Sequence, residues 1–158
     1  CACLVGSEMC IRDRNILMKI YYAAPLFNDM ELKKNAEMKQ WLENRGYEVY
    51  LPQDESGLAY DMINDSNKLE INKKIFEGDV ECIKKSDLLI FDLNGRVPDE
   101  GGCVELGMAY AWGIKSIGFK TDTRALDYTG DDNLMIEGCM NFKIARNLEE
   151  LEKMLKEI

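Results

Sequence analysis

Histidine is missing from all 158 positions of this chain, which removes the commonest general base and the commonest metal ligand at once. Acid–base chemistry must therefore come from carboxylates, tyrosines, lysines or cysteines. No apolar run reaches the roughly 20 residues that a membrane helix needs, so we expect no membrane partner. The six cysteines form no Cys-x-x-Cys pair. We therefore expect no zinc site and no disulfide framework, but reduced thiols in a cytoplasmic protein.

Positive charge is also scarce, with 20 lysines and arginines against 29 aspartates and glutamates and a net charge of −9. Such a chain repels phosphate-rich molecules at long range, so we expect no nucleic-acid partner. Hydrophobic residues (46%) and charged residues (31%) occur in the proportions of ordinary soluble proteins. The length suits one domain with its own hydrophobic core.

The first fourteen residues differ from the rest of the chain. They hold three of the six cysteines and lack the basic and apolar regions of a signal peptide. The segment Ser7–Arg14 resembles the peptide obtained when a sequencing adapter is translated. We therefore expect residues 1–14 to be a non-native leader and residues 15–158 to form the functional domain.

From residue 16 onwards, predicted strands and helices alternate. Apolar runs predict five strands, at 16–24, 47–51, 87–93, 116–120 and 141–145. Helical spacing predicts four helices, over 29–44, 66–85, 101–112 and 148–158. The segment 121–140 is long and polar and is predicted to be a functional loop. The alternation implies an α/β fold with one doubly wound, five-stranded parallel sheet of flavodoxin-like or Rossmann-like type.

Two carboxylates follow the third predicted strand. The chain leaves this strand at Phe91, turns through Asn-Gly and Pro, and reaches Asp99 and then Gly101 at the start of a helix. Ligands of open parallel sheets bind beyond the carboxyl ends of the strands, so Asp99 and Glu105 are predicted to face the cleft. The helix dipole would keep Glu105 ionised, as suits a nucleophile, and Gly101 would leave open space over it.

Structural interpretations of these residues stay open. Glutamate near a helix N-terminus often only stabilises the helix, and Asp99 is also suited to cap it. Further candidates end the first strand, interrupt the second helix or lie in the long loop, where core packing or solvent exposure would explain them equally well: Tyr21, Phe27, Asp79, Asn133 and Met135.

Together these residues resemble the nucleoside 2-deoxyribosyltransferase family over residues 16–158. Four segments carry the resemblance: Lys19–Phe27, Asp79 ahead of Ser86-Asp87-Leu88, Pro98–Gly101 through Glu105–Ala109, and Asp132–Gly138. The third is the most specific. One segment departs from the family: some members place a Gln just after a Pro-x-Asp-Asn turn, whereas this chain reads Pro52-Gln53-Asp54-Glu55-Ser56. Gln53 and Glu55 are therefore weak candidates for base contacts.

The resemblance implies a role for each residue. Glu105 would be the nucleophile that attacks C1′ of the deoxyribose, Tyr21 would orient it, and Asp99 would exchange a proton with the nucleobase. Phe27 and Asp79 would contact the base of the substrate, and Gly101 would leave room for it. Asn133 and Met135 would reach the substrate from an adjacent protomer. The chain would form a homo-oligomer built from dimers, with hexamers as the form the family suggests. No metal or cofactor would be needed.

The implied reaction exchanges the base of a 2′-deoxyribonucleoside for a free nucleobase, through a covalent deoxyribosyl-Glu intermediate and with retention. Two other functions stay open. An N-glycosidase acting on nucleoside 5′-monophosphates would hold phosphate near the first strand, where this chain reads Ala23-Ala24-Pro25-Leu26-Phe27 without a cation or hydroxyl. A non-catalytic nucleotide-binding module would keep its affinity after Glu105→Ala.

Overall fold

The computed structural model describes residues 17–54, 63–124 and 132–158. The predicted leader at 1–14, the weak candidate Glu55 and the middle of the 121–140 segment lie outside these ranges. All remaining site residues named above lie inside them.

A five-stranded parallel sheet forms the centre of the described chain. Its strands are β1 (Lys19–Ala23), β2 (Glu48–Tyr50), β3 (Leu88–Asp92), β4 (Lys115–Phe119) and β5 (Ile144–Ala145). They lie in the order β2-β1-β3-β4-β5, and every neighbouring pair is parallel. This order is the flavodoxin-like one and confirms the predicted fold class. All five residues of β3 are buried, as expected for a strand covered on both faces.

Helices cover both faces of the sheet. They are α1 (Asp29–Glu43), α2 (Lys68–Lys85), α3 (Glu100–Ala111), α4 (Leu134–Cys139) and α5 (Leu148–Lys156). None of these helices is long and apolar enough to cross a membrane in the described part of the chain. Side chains of α1 and α5 share one hydrophobic core, whereas those of α2 and α3 share another. Because strand side chains alternate, Tyr21 of β1 enters the α2–α3 core and its neighbour Tyr22 enters the other.

The polar segment 121–140 contains a helix, so the prediction of a loop is wrong for residues 134–139. The Asn133 side chain caps α4 by accepting a hydrogen bond from the Met135 backbone N–H at 2.9 Å. Ile136 and Cys139 pack against the α2–α3 core. One capping residue and two apolar contacts therefore hold this helix. With six residues, it is too short for hydrophobic periodicity to predict it.

Close packing between β3 and α3 fixes where α3 begins. A Cβ atom added at Gly102 would overlap the ring of Phe91, a residue of β3. Only glycine therefore lets the first turn of α3 lie directly on the strand. This contact places the following turn of α3, which carries Glu105, beside β1.

We expect Gly102→Ala to destabilise the fold by about 1–3 kcal/mol, because the methyl group overpacks the Phe91 contact. The matched control is Gly107→Ala in the same helix, where an added Cβ meets nothing within 4 Å. Alanine favours the helix there, so the control should be neutral or stabilising by up to about 1 kcal/mol. Urea unfolding at one fixed protein concentration measures both. Equal effects of the two substitutions would contradict the packing argument.

Candidate active site

A hydrogen bond between Tyr21 and Glu105 lies at the centre of the candidate site. The Tyr21 hydroxyl donates to Glu105 Oε1 at 2.8 Å and joins β1 to α3. Tyr21 is fully buried, whereas Glu105 is partly exposed. The structure thus brings together the two residues predicted as nucleophile and orienting group, although 84 positions separate them.

A second tyrosine extends this arrangement to Asp79. The Tyr50 hydroxyl donates to Asp79 Oδ1 at 3.0 Å, joining β2 to α2. The rings of Tyr21 and Tyr50 are stacked, with centroids 5.3 Å apart and an interplanar angle of 21°. Glu105, Tyr21, Tyr50 and Asp79 therefore form one continuous group, which we call the tyrosine bridge.

Tyr50 is not among the site residues predicted from the sequence. It ends a strand of only three residues, whose alternation is too short to show which face is buried. The available signal is the sheet register, in which Tyr21 is the direct partner of Tyr50. Paired residues of neighbouring strands point to the same face, so this register predicts the stack once the strand order is known.

Asp99 lies at the start of α3 and caps it. Its Oδ2 accepts a hydrogen bond from the Gly102 backbone N–H at 2.7 Å, which is the structural interpretation that the sequence left open. A Cβ at Gly101 would lie 3.1 Å from the same oxygen. A side chain at position 101 would therefore press against the Asp99 carboxylate, whereas the predicted open space over Glu105 stays a prediction.

Burial dominates the electrostatics of Glu105. Burial raises its pKa to about 7, the negative charges of Asp79 and Asp99 add to this rise, and the Tyr21 hydrogen bond opposes it. This corrects the expectation that the helix dipole keeps Glu105 readily ionised. Burial and the adjacent carboxylates also hold the pKa values of Tyr21 and Tyr50 well above their usual range, so both hydroxyls stay protonated donors.

Three predicted site residues are either largely exposed or cap a helix in this single chain. Phe27 and Met135 are each 76% exposed, and the Asn133 side chain caps α4. Gln53 is held against α1: its amide nitrogen donates to the Leu32 carbonyl, and its amide oxygen accepts from Asn35, both at 3.0 Å. This contact gives Gln53 a structural role.

An open cleft of about 650 Å³ adjoins Asp79. It is lined by residues of α2 and of the chain just before it: Ile63, Lys68, Asn72, Ile75, Phe76 and Asp79. In the described ranges, no group of three cysteines, aspartates or glutamates has a geometry that could hold a metal ion. The described site supplies carboxylates and phenols, and such groups can perform a displacement at a sugar carbon.

Comparison with known sequences identifies the family. The sequence model described as nucleoside 2-deoxyribosyltransferase matches residues 20–140, most of the chain. The chain belongs to this family. The match includes Tyr21, Asp79, Asp99 and Glu105. No curated protein is significantly similar to this family member.

Solved structures resemble this deoxyribosyltransferase-family chain over most of its length. A conserved protein from Enterococcus faecalis V583 has 28% identity and a TM-score of 0.72, with 89% of this chain and 98% of that one covered. A 2-deoxyribosyltransferase from Bacillus psychrosaccharolyticus has 26% identity and a TM-score of 0.66, covering 85% and 90%. A CMP N-glycosidase from Clostridium botulinum has 22% identity and a TM-score of 0.54, covering 87% and 98%, and shares the fold.

The raised pKa of Glu105 predicts a pH-dependent stability for this family member. Between the ordinary value of 4.5 and about 7, the folded chain retains a proton that the unfolded chain releases. Stability is therefore lost as the pH rises through this window, by about 3 kcal/mol. In Glu105→Gln this loss should disappear. The free energy of unfolding of the variant should therefore increase relative to that of the wild type between pH 5 and pH 8.

Urea unfolding across this pH range measures the difference. Glu100→Gln is the matched control, because Glu100 is an exposed glutamate of the same helix. It should differ from the wild type by an offset that stays constant between pH 5 and pH 8. The same constant offset for Glu105→Gln would contradict the raised pKa.

Proposed function

We propose that this protein is a nucleoside 2-deoxyribosyltransferase, which exchanges the nucleobase of a 2′-deoxyribonucleoside for a free base. The observation that carries the proposal is Glu105, oriented by the Tyr21 hydroxyl at 2.8 Å and accompanied by Asp79 and Asp99. Family membership supports the reaction class, and this geometry supports Glu105 as the nucleophile.

In the first step the ionised Glu105 attacks C1′ of the deoxyribose. A C1′–O bond to the carboxylate forms while the C1′–N bond breaks through an oxocarbenium-like transition state. Tyr21 holds one carboxylate oxygen, which orients the group without removing its negative charge. A pKa of about 7 leaves a substantial fraction of Glu105 ionised at neutral pH. The product is a deoxyribosyl ester of Glu105.

Asp99 handles the proton in this proposal. The electrons of the broken C1′–N bond stay on the base, which needs a proton to leave as a neutral molecule. Because Asp99 Oδ2 accepts from Gly102, the proton would pass through Oδ1. An incoming base then attacks C1′, gives its proton back to Asp99 and releases Glu105. Two displacements at C1′ give retention of configuration.

The substrate-binding residues are assigned as part of the same proposal. Asp79 and Phe27 would contact the base, and the absent side chain of Gly101 would leave room beside Asp99. Asn133 and Met135 would reach the site of an adjacent protomer. Exposed apolar side chains on α3, α4 and the chain after α4 support a homo-oligomer: Val104, Tyr110, Leu134, Met135 and Phe142. Dimers and hexamers, and a cytoplasmic location, stay predictions.

A base-exchange assay tests the function. With 2′-deoxyinosine or thymidine as donor and adenine as acceptor, the wild type should form deoxyadenosine. Glu105→Ala should lower the rate by roughly a thousandfold or more, because it removes the nucleophile. Glu100→Ala, in the first turn of the same helix, is the control that should retain activity. Products are separated by chromatography.

Two results would overturn the proposal. Release of free base without exchange, from these donors or from deoxynucleoside 5′-monophosphates, would identify a hydrolase. Binding of nucleosides with unchanged affinity in Glu105→Ala, and no turnover in the wild type, would identify a binding module.

A further inference from the structure

Tyr50 contacts both Asp79 and Tyr21, and it takes no part in the proposed reaction steps. Its hydroxyl donates to Asp79 Oδ1 at 3.0 Å, and its ring stacks on Tyr21 with centroids 5.3 Å apart. The side chain is half-buried at the end of β2. Rotation of this side chain away from the site would break both contacts together.

We propose that Tyr50 is a positioning residue that couples Asp79 to the nucleophile, its hydroxyl fixing the Asp79 carboxylate and its ring fixing the plane of Tyr21. This inference rests on the proposed function, because it assigns Tyr50 to the site of that reaction. Tyr50 contacts Tyr21 and Asp79, and it acts on Glu105 through these two residues.

The stacking of Tyr50 on Tyr21 follows from the pairing of strands in the sheet. Tyr21 and Tyr50 are direct partners in the parallel β1–β2 pair, so their side chains project from the same face. Offset stacking at this separation is a favourable geometry for aromatic rings. The Tyr21 hydroxyl reaches Glu105 from a ring that is held between the core and Tyr50. Removal of the Tyr50 ring should therefore allow the ring of Tyr21, which orients Glu105, to change its position.

The electrostatic effect of Tyr50 acts through the negative charge of Asp79. The groups that act on Glu105 come from three elements: Tyr21 in β1, Asp79 in α2 and Asp99 at the start of α3. Asp79 raises the pKa of Glu105. A hydroxyl that donates to Asp79 offsets part of its charge. Without that hydroxyl, the pKa of Glu105 should rise further.

The first experiment reads the Glu105 pKa without using activity. The difference in unfolding free energy between each protein and its Glu105→Gln derivative is followed against pH. In Tyr50→Phe, the pH at which this difference levels off should move upward relative to the wild type. Tyr47→Phe is the control, because Tyr47 packs against the other hydrophobic core. A midpoint that stays at the wild-type pH in Tyr50→Phe would overturn the electrostatic coupling.

The second experiment is a double-mutant cycle in the exchange assay. Tyr50→Phe keeps the ring and should lower kcat/KM by roughly tenfold, the effect of losing a hydrogen bond to a charged group. In an Asp79→Asn background the same substitution should cost much less, because its partner charge is already gone. Equal effects in both backgrounds would overturn the proposal.

A third variant tests the ring. Tyr50→Leu removes the stack and should lower kcat more than Tyr50→Phe does, because Tyr21 loses its support. Equal kcat values for these two variants would overturn the mechanical coupling. Failure of the proposed function is distinguishable: the wild type would then exchange no base, while the pH dependence of unfolding would still decide whether Tyr50 acts on Glu105.

Discussion

The hydrogen bond from Tyr21 to Glu105 joins the first strand of the sheet to the helix after the third strand. It depends on a close approach that only Gly102 permits, since any larger residue would overlap Phe91. The approach sets the depth of α3 against the sheet, and therefore the depth at which Glu105 is buried. Burial then raises the pKa of Glu105 to about 7. Packing between Gly102 and Phe91 thus contributes to the burial, and through it to the pKa, of a carboxylate one turn away.

Three carboxylates near one another destabilise a folded protein by electrostatic repulsion, and hydrogen-bond donors offset part of this effect here. Tyr21 donates to Glu105, Tyr50 donates to Asp79, and the backbone of Gly102 donates to Asp99. Each acid therefore has a donor from a rigid element. A carboxylate whose pKa burial moves towards neutrality, as it does for Glu105, is typical of catalytic sites. The stacked rings place two of these donors in one unit.

The fold and the acidic residues were predictable because their signals are local. Alternating apolar runs and helical spacing gave the parallel sheet, and the segment from Pro98 to Glu105 placed two acids beyond a buried strand. The roles of Tyr50 and Gly102 were not predictable, because they depend on contacts across the sheet and between a strand and a helix. The raised pKa of Glu105 was not predictable either. Its main cause is burial, which is a property of the packed chain and outweighs the effect of the helix dipole.

The most direct test of Glu105 as nucleophile is the mass of its peptide after incubation with a 2′-deoxyribonucleoside and no acceptor base. The protein is quenched in acid, digested and measured by mass spectrometry. We predict that the peptide containing Glu105 gains the mass of one deoxyribosyl group, that fragmentation places it on Glu105, and that Glu105→Gln gains nothing. A deoxyribosyl group on any other residue, or an equal adduct in Glu105→Gln, would contradict the account.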